Sequence, residues 1–242
     1  GIGIPYVLDF DDEGAVSTGF RLITFGASFY GMYNYTANME IPYGRFQFQL
    51  SGAQLGGASI LPIMAVIGWD NVEKINPRAW WIYEMIAIPM SLKFADKLYY
   101  KWHLTNGQAS LVSASTNLGA INTGFLLNLI YEEGWEDGTI YVPLTYLGAI
   151  GTGYLTKNYV SNQSYTEDDA VFIEISSIVG FTNFIFLGNL LEIEEEKITQ
   201  LLLLASVNGF TYLADKINKN NDLKRGQARI IGLGTFASLM AW

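Results

Sequence analysis

Glu84 and Glu174 are the two ionisable residues that fall inside otherwise apolar stretches of this 242-residue chain. A carboxylate in an apolar segment is costly to bury, and where one persists it commonly marks an ion or proton path. The competing expectation is pairing with a Lys or Arg from a neighbouring helix. The other candidates for chemistry are weaker. His103, the single histidine, follows Trp102 in a connector with no Ser or carboxylate at a nucleophile-activating spacing, and it reads as a surface residue. The acidic run at 192–196 lacks the glycine and the ligand spacing of a calcium loop and reads as a solvated turn. Gly148-x-x-Gly151-x-Gly153 lies inside an apolar run, not between a strand and a helix, so it reads as a helix-packing feature and not as a dinucleotide fingerprint. The absence of Cys removes thiol catalysis, Cys-ligated zinc and iron–sulfur clusters. No catalytic residue, cofactor or metal set is expected, and the chain reads as non-enzymatic.

The elements that must carry these residues are organised by an internal repeat. Phe94-Ala-Asp-Lys-Leu98 followed by Thr105-Asn-Gly-Gln-Ala109 is matched by Leu213-Ala-Asp-Lys-Ile217 followed by Lys224-Arg-Gly-Gln-Ala228, 119 residues later. That offset is about twice the length of a helical hairpin unit, so an intermediate copy is required. Thr166-Glu-Asp-Asp-Ala170 supplies it, and Pro42-Tyr-Gly-Arg-Phe46 supplies an earlier one. Aligned on Gly44, Gly107, Asp168 and Gly226, the copies place Gly52, Ser115, Ser176 and Gly234 eight residues on, and Gly56, Gly119, Gly180 and Ser238 twelve residues on. Small residues four apart share one helical face and let a neighbouring backbone approach closely, the glycine-zipper pattern of tightly packed and membrane helices.

Start signals favour helices. Thr105-x-x-Gln108 and Thr166-x-x-Asp169 have the spacing of a capping box, and Pro42 and Pro77 stand where the first helical turn tolerates a missing N–H. The expectation is an all-α fold of about eight helices in repeated hairpins. The first runs over 17–36, followed by pairs at 44–68 and 77–101, 106–131 and 138–159, and 167–191 and 196–219, with a last helix from 225 to 242. Together they form one repeat-built domain over 1–242, with repeats near 44–101, 106–159 and 167–219 and a partial one at 225–242. The last helix is shorter than its counterparts, which reads as a cap or a missing continuation. The start, Gly1-Ile-Gly-Ile-Pro5, shows no initiator Met and no secretory signal, as a processed N-terminus would.

Charge placement then bears on the solvent. Only 15% of residues are charged, against roughly 25% in an average soluble domain. Residues 46–69 and 108–131 are each free of Asp, Glu, Lys and Arg for 24 residues, and roughly 20 apolar residues suffice to cross a bilayer. Amides such as Asn122, Asn183 and Asn208 dilute these runs, and the mean hydropathy is only +0.20. The connectors within hairpins carry ten acids, Asp70, Glu133 and Glu195 among them, against three bases, whereas those between hairpins carry ten bases, such as Arg45, Lys97 and Lys157, against seven acids. In an up-down bundle these sets emerge at opposite ends, as the positive-inside rule produces in membranes. Trp69, Trp80, Trp81, Trp102 and Trp135 fall near helix ends, where an aromatic belt places them. The net charge of −9 argues against a nucleic-acid partner.

With Phe25-Gly-Ala-Ser-Phe29 and the recurring Thr-x-Gly-x-Ala starts followed by Gly-rich runs, most of the chain resembles a set of uncharacterised glycine-rich, helical-repeat bacterial cell-envelope proteins. Phe46 departs from the recurring Ala. The resemblance implies an envelope location, inner or outer membrane, and implies no activity. The leading expectation is a membrane-embedded structural or accessory subunit whose Gly/Ser faces pack against lipid-exposed neighbours, other envelope subunits or a second copy, with no cofactor. One alternative is a transport or channel component using Glu84 and Glu174. Another is an outer-membrane β-barrel, drawn from the alternation Arg45-Phe-Gln-Phe-Gln49 and the terminal Trp242.

Overall fold

A computed structural model of the chain describes residues 40–130, 138–190 and 195–220, together with Tyr30 and single positions between 226 and 234. The elements are α1 Tyr43–Ala58, α2 Ile60–Ile67, α3 Trp69–Val72, α4 Pro77–Lys101, α5 Asn106–Ile130, α6 Gly138–Val160, α7 Glu167–Leu190 and α8 Glu196–Asn220. The helices expected over 17–36 and 225–242 lie outside the described residues, apart from Tyr30 and a few helical positions from Gly226 to Gly234.

The β-barrel alternative is overturned, because every element among the described residues is a helix. The segment that suggested it lies in α1, where Phe48 is buried at 8% exposure and Phe46 is 50% exposed. Residues two apart share a face in a strand but lie about 200° apart on a helix, so the same two rings separate into core and surface. The single helix expected over 44–68 is divided at Ser59. Pro62 has no N–H for the carbonyl of Ala58, and its ring crowds that carbonyl, so α1 ends there and α2 restarts. The Ser59 hydroxyl fills the gap, sharing a hydrogen bond with the Tyr83 hydroxyl at 2.8 Å and donating to Gly56 O at 2.5 Å. Gly68, with φ +88°, then turns the chain from α2 into the short α3.

The remaining starts follow from side-chain caps. Thr105 N–H donates to Gln108 Oε1 at 2.9 Å while Gln108 N–H donates to Thr105 Oγ1 at 3.3 Å, a reciprocal capping box at α5. Asp169 and Thr166 repeat it at α7, at 2.8 and 3.1 Å. Asn76 accepts from Arg78 N–H ahead of Pro77 at α4. Gln108 does more than cap: its amide donates to Val160 O and Gln163 O at 2.8 and 2.9 Å, tying the start of α5 to the end of α6.

The hairpins are α1/α4, α5/α6 and α7/α8, and the first helix of each packs on the first helix of the next, so α5 sits between α1 and α7. The second helices lie outside this row; α6 also touches α2, and α8 also reaches α5. Close approach governs the hairpins. A Cβ placed on Gly56 would lie 2.9 Å from Ala87 O, one on Gly119 2.9 Å from Gly148 O, and one on Gly180 2.8 Å from Ser206 O. Gly52 meets Ala95 in the same seam as Gly56. Successive first helices touch in an equally regular way, Gly44 against the backbone of Asn106 and Gly107 against that of Tyr165 and Thr166. The core gathers at this end, where Phe48, Val112, Val160, Phe172 and Ala214 form one buried cluster.

Because no side chain fits beside Gly148 O, Gly119→Val is expected to lower stability by about 2–3 kcal/mol through overpacking. Gly151, with nothing within 4 Å of an added Cβ, is the matched control, and Gly151→Ala is expected to be neutral or stabilising by up to about 1 kcal/mol. Thermal unfolding followed by circular dichroism compares the two; equal effects would show that the seam tolerates bulk.

Candidate functional site

The repeated Ala-Asp-Lys sequence builds the first polar constellation. Asp96 accepts from Arg45 Nε at 2.8 Å and from Gln49 Nε2 at 2.7 Å, which joins α4 to α1. Its counterpart Asp215 in α8 accepts from the Tyr165 hydroxyl at 2.5 Å, the Tyr159 hydroxyl at 3.0 Å and Lys219 Nζ at 2.8 Å. In the middle hairpin the position before Lys157 is Thr156, so the acid is missing there.

Asp215, Tyr159 and Tyr165 form one end of a cleft of about 250 Å³ bounded by α5, α6, α7 and α8. Each helix contributes side chains at helical spacing: Leu111, Ala114, Ser115 and Leu118 from α5, then Thr156, Tyr159 and Val160 from α6. Ile173 and Glu174 come from α7, and Asn208, Thr211, Tyr212 and Asp215 from α8. Several polar groups on this wall are engaged within the protein, whereas among the described residues the Thr156 and Tyr212 hydroxyls are not. Ser115 Oγ donates to Val112 O, Thr211 Oγ1 to Val207 O, and Asn208 exchanges amide hydrogen bonds with Asn122 at 2.9 and 3.0 Å.

Of the two acids on this wall, Glu174 is the unpaired one. It is half-buried, and among the described residues its carboxylate has neither a hydrogen-bond donor nor an ion-pair partner. Glu84 is also half-buried and without an ion pair among the described residues, but it sits on α4, which packs on α1 and α2, and it lines none of the three clefts. The structure therefore does not bring the two acids together, and among the described residues neither pairs with a cation.

The small residues divide in a similar way. Gly52, Gly56, Gly119 and Gly180 lie in hairpin seams. Ser115 faces the cleft, and Ser176 is half-buried on α7. Gly234 is helical and exposed, with nothing within 4 Å among the described residues, and Ser238 lies outside them. Gly148 and Gly153 pack on Thr123 and Thr116, while Gly151 faces open space. Of the acidic run at 192–196, the described Glu196 accepts from Gln200 at 2.9 Å and Asn128 at 3.3 Å. His103 ends α4 with φ 51°; its N–H bonds Tyr100 O and the Leu104 N–H bonds Tyr99 O, the arrangement of a Schellman cap.

Comparison with protein families, curated proteins and solved structures gives no match to this chain. The site must be read from its own groups.

Burial of Asp215 pushes its pKa up, but hydrogen bonds from Lys219, Tyr165 and Tyr159 and the Lys219 charge outweigh it and hold the carboxyl below its ordinary value. Tyr165 is raised, by burial first and then by its bond to Asp215. Lys219 is raised by its bonds to Asp215 and Tyr159. These groups lie in the connector and beyond the charge-free run at 198–214. A depressed carboxylate stabilises the fold above its unfolded pKa of about 3.9 and loses that contribution as pH falls through the folded value. A raised Tyr or Lys stabilises below an unfolded pKa of about 10 and loses that contribution as pH rises through the folded one. Asp215→Asn is expected to cost about 1–2 kcal/mol at pH 7 and to flatten both limbs of the stability profile, as thermal melts from pH 3 to 11 would show. A variant profile parallel to wild type would remove this assignment.

Proposed function

We propose that the chain is a membrane-embedded helical bundle that serves as a non-enzymatic structural or accessory subunit of a cell-envelope assembly. The observation that carries this reading is the amount of large apolar surface turned outward. Large apolar side chains are exposed along every long helix, with Met90 65%, Leu126 50%, Leu155 67%, Ile178 54% and Leu201 54% exposed. Beside the apolar core, Ser113, Thr116 and Ser177 are buried and each donates to a helix carbonyl. Lipid solvates such outer faces, and hydroxyls bonded to helix carbonyls suit packing between membrane helices.

Length and sequence features support it. Helices of 23–25 residues are about 35–37 Å long at 1.5 Å per residue, enough for a hydrocarbon core of about 30 Å. By length and composition alone, Tyr43–Ile67 and Glu167–Phe186 are apolar enough to cross a bilayer. Pro89 and Pro143 stand inside long helices, as membrane helices permit more readily than soluble ones. The sorting of bases to the connectors between hairpins orients that end toward the cytoplasm. The resemblance to glycine-rich envelope proteins supports the same setting. The close-packed glycine seams favour a packing role, with lipid and other envelope subunits, or a second copy, as partners.

Expression with membrane fractionation tests the proposal. The chain is expected in the membrane pellet, resistant to alkaline carbonate and released by detergent. Met90→Lys, which places a charge at an exposed apolar position, carries an insertion cost of about 2.5–3.5 kcal/mol and is expected to reduce the membrane-integrated fraction. A protein that is monodisperse and helical without detergent would overturn the reading.

A further inference from the structure

We infer that the cleft bounded by α5, α6, α7 and α8 binds a small organic ammonium ion, with Glu174 as its counter-charge. The inference rests on the cleft alone and holds whether lipid or water surrounds the bundle. Glu174 is a half-buried carboxylate that the protein leaves without a donor, in a cleft where Asp215, Asn208, Ser115 and Thr211 are all satisfied internally. A half-buried carboxylate with no donor, set beside an acid that is fully paired, is a charge that a bound cation neutralises.

The repeat shows that Glu174 is a property of this cleft and not of the scaffold. The same four-helix arrangement one hairpin earlier encloses a cleft of about 420 Å³ between α1, α4, α5 and α6. It is lined by Phe48, Leu55, Leu98, Trp102 and Ile150 and carries no acid. At the position of Glu174 the preceding repeat has Ser113, whose hydroxyl donates to Gln47 O at 3.0 Å and closes the seam between the two first helices. At the same repeat position, a hydroxyl that closes a helix seam is thus replaced by a carboxylate that lines a cleft.

Chemistry and size select the class of partner. A bare hard cation needs about six to eight oxygen ligands, whereas the side-chain oxygens of Asp215, Asn208, Ser115 and Thr211 are already engaged, which leaves too few. An anion would face both Glu174 and Asp215. A neutral apolar molecule would leave Glu174 unpaired. An ammonium head with a short carbon body meets each part of the wall: the charge pairs with Glu174, the tyrosine rings of the cleft offer cation–π faces, and Leu118 and Ile173 cover the carbon chain.

Calorimetric titration of the full chain, in detergent if it requires it, tests this with n-butylammonium chloride, n-butanol and sodium chloride as probes. Saturable binding of butylammonium is expected, with no saturable binding of butanol or sodium. Affinity is expected to fall by about ten-fold or more in Glu174→Gln and also in Ala114→Leu, which fills the cleft but keeps the carboxylate. It is expected to be unchanged in Glu73→Gln, the same charge change on an exposed connector. If Glu174→Gln fails to fold by circular dichroism, Ala114→Leu decides. The inference is overturned by folded wild-type protein that binds no butylammonium, as an empty cleft with a protonated Glu174 would give. It is equally overturned by butanol binding as tightly, by sodium competing for the site, or by undiminished binding in the folded variants.

Discussion

Three helix backbones approach a carbonyl of their hairpin partner more closely than any side chain allows, and most of the architecture follows from that contact. At Gly56, Gly119 and Gly180 the partner oxygen lies where a Cβ would have to be. With axes drawn together at these points, the neighbouring Thr116 and Thr152 can nest in the same seam. The Thr116 hydroxyl is satisfied by a carbonyl of its own helix at 2.8 Å. Polar atoms are thereby hidden without long side chains, and the large apolar residues are displaced outward. The outward-facing apolar side chains and the glycine seams are two sides of one packing solution, in which dispersion and close fit hold the hairpins together.

The same economy shapes the contacts between hairpins. Gly44 and Gly107 let the next capped start lie directly on the preceding first helix, so the α1/α5 and α5/α7 seams begin in the same way. Asp168 occupies that position in the third hairpin, where a side chain forbids an equally close neighbour. The row of first helices is thus built from nearly identical joints that differ at chosen places: Asp168 for Gly, Thr156 for Asp, Glu174 for Ser113. Each difference changes what a seam or cleft can hold while the backbone plan is kept.

Much of the plan was legible from local signals. Capping residues fixed the starts of α5 and α7, Pro77 that of α4, and the four-residue spacing of Gly52 and Gly56 pointed to the seam they occupy. These are short-range features that a linear sequence carries openly. The break at Ser59 was hidden because an uncharged, apolar run from 46 to 69 looks continuous unless Pro62 is weighed against the carbonyl four residues before it. The cleft was hidden for a different reason. Its wall is drawn from Leu111 to Asp215, so no window of sequence contains it; Asn208 reads as a dilution of an apolar helix, and Tyr159 and Tyr165 carry no signal. Glu174 stands out as an acid in an apolar run, Ser115 as a small residue of the repeat and Asp215 as a member of the repeated Ala-Asp-Lys, with nothing in the sequence to join them. Glu84 and Glu174 look alike in sequence, and burial in a cleft is what separates them.

The two ends of the bundle also differ in more than the sign of their charges. At the basic end, cations are set over aromatic rings: Arg45 lies 4.9 Å from the Tyr100 ring, Lys219 4.9 Å from Tyr159, and Lys157 5.9 Å from Trp102. Trp102 is itself held edge-on between Phe48 and Tyr154 at 5.9 and 6.4 Å. Attraction between a cation and a ring face survives partial desolvation better than an exposed ion pair does. Long basic side chains anchored in this way keep their charge while their stems cover apolar surface. At the other end, Glu196 is held by the amides of Gln200 and Asn128. The two ends are thus held differently among the described residues, by cations over aromatic rings at one and by an amide-bonded carboxylate at Glu196 at the other.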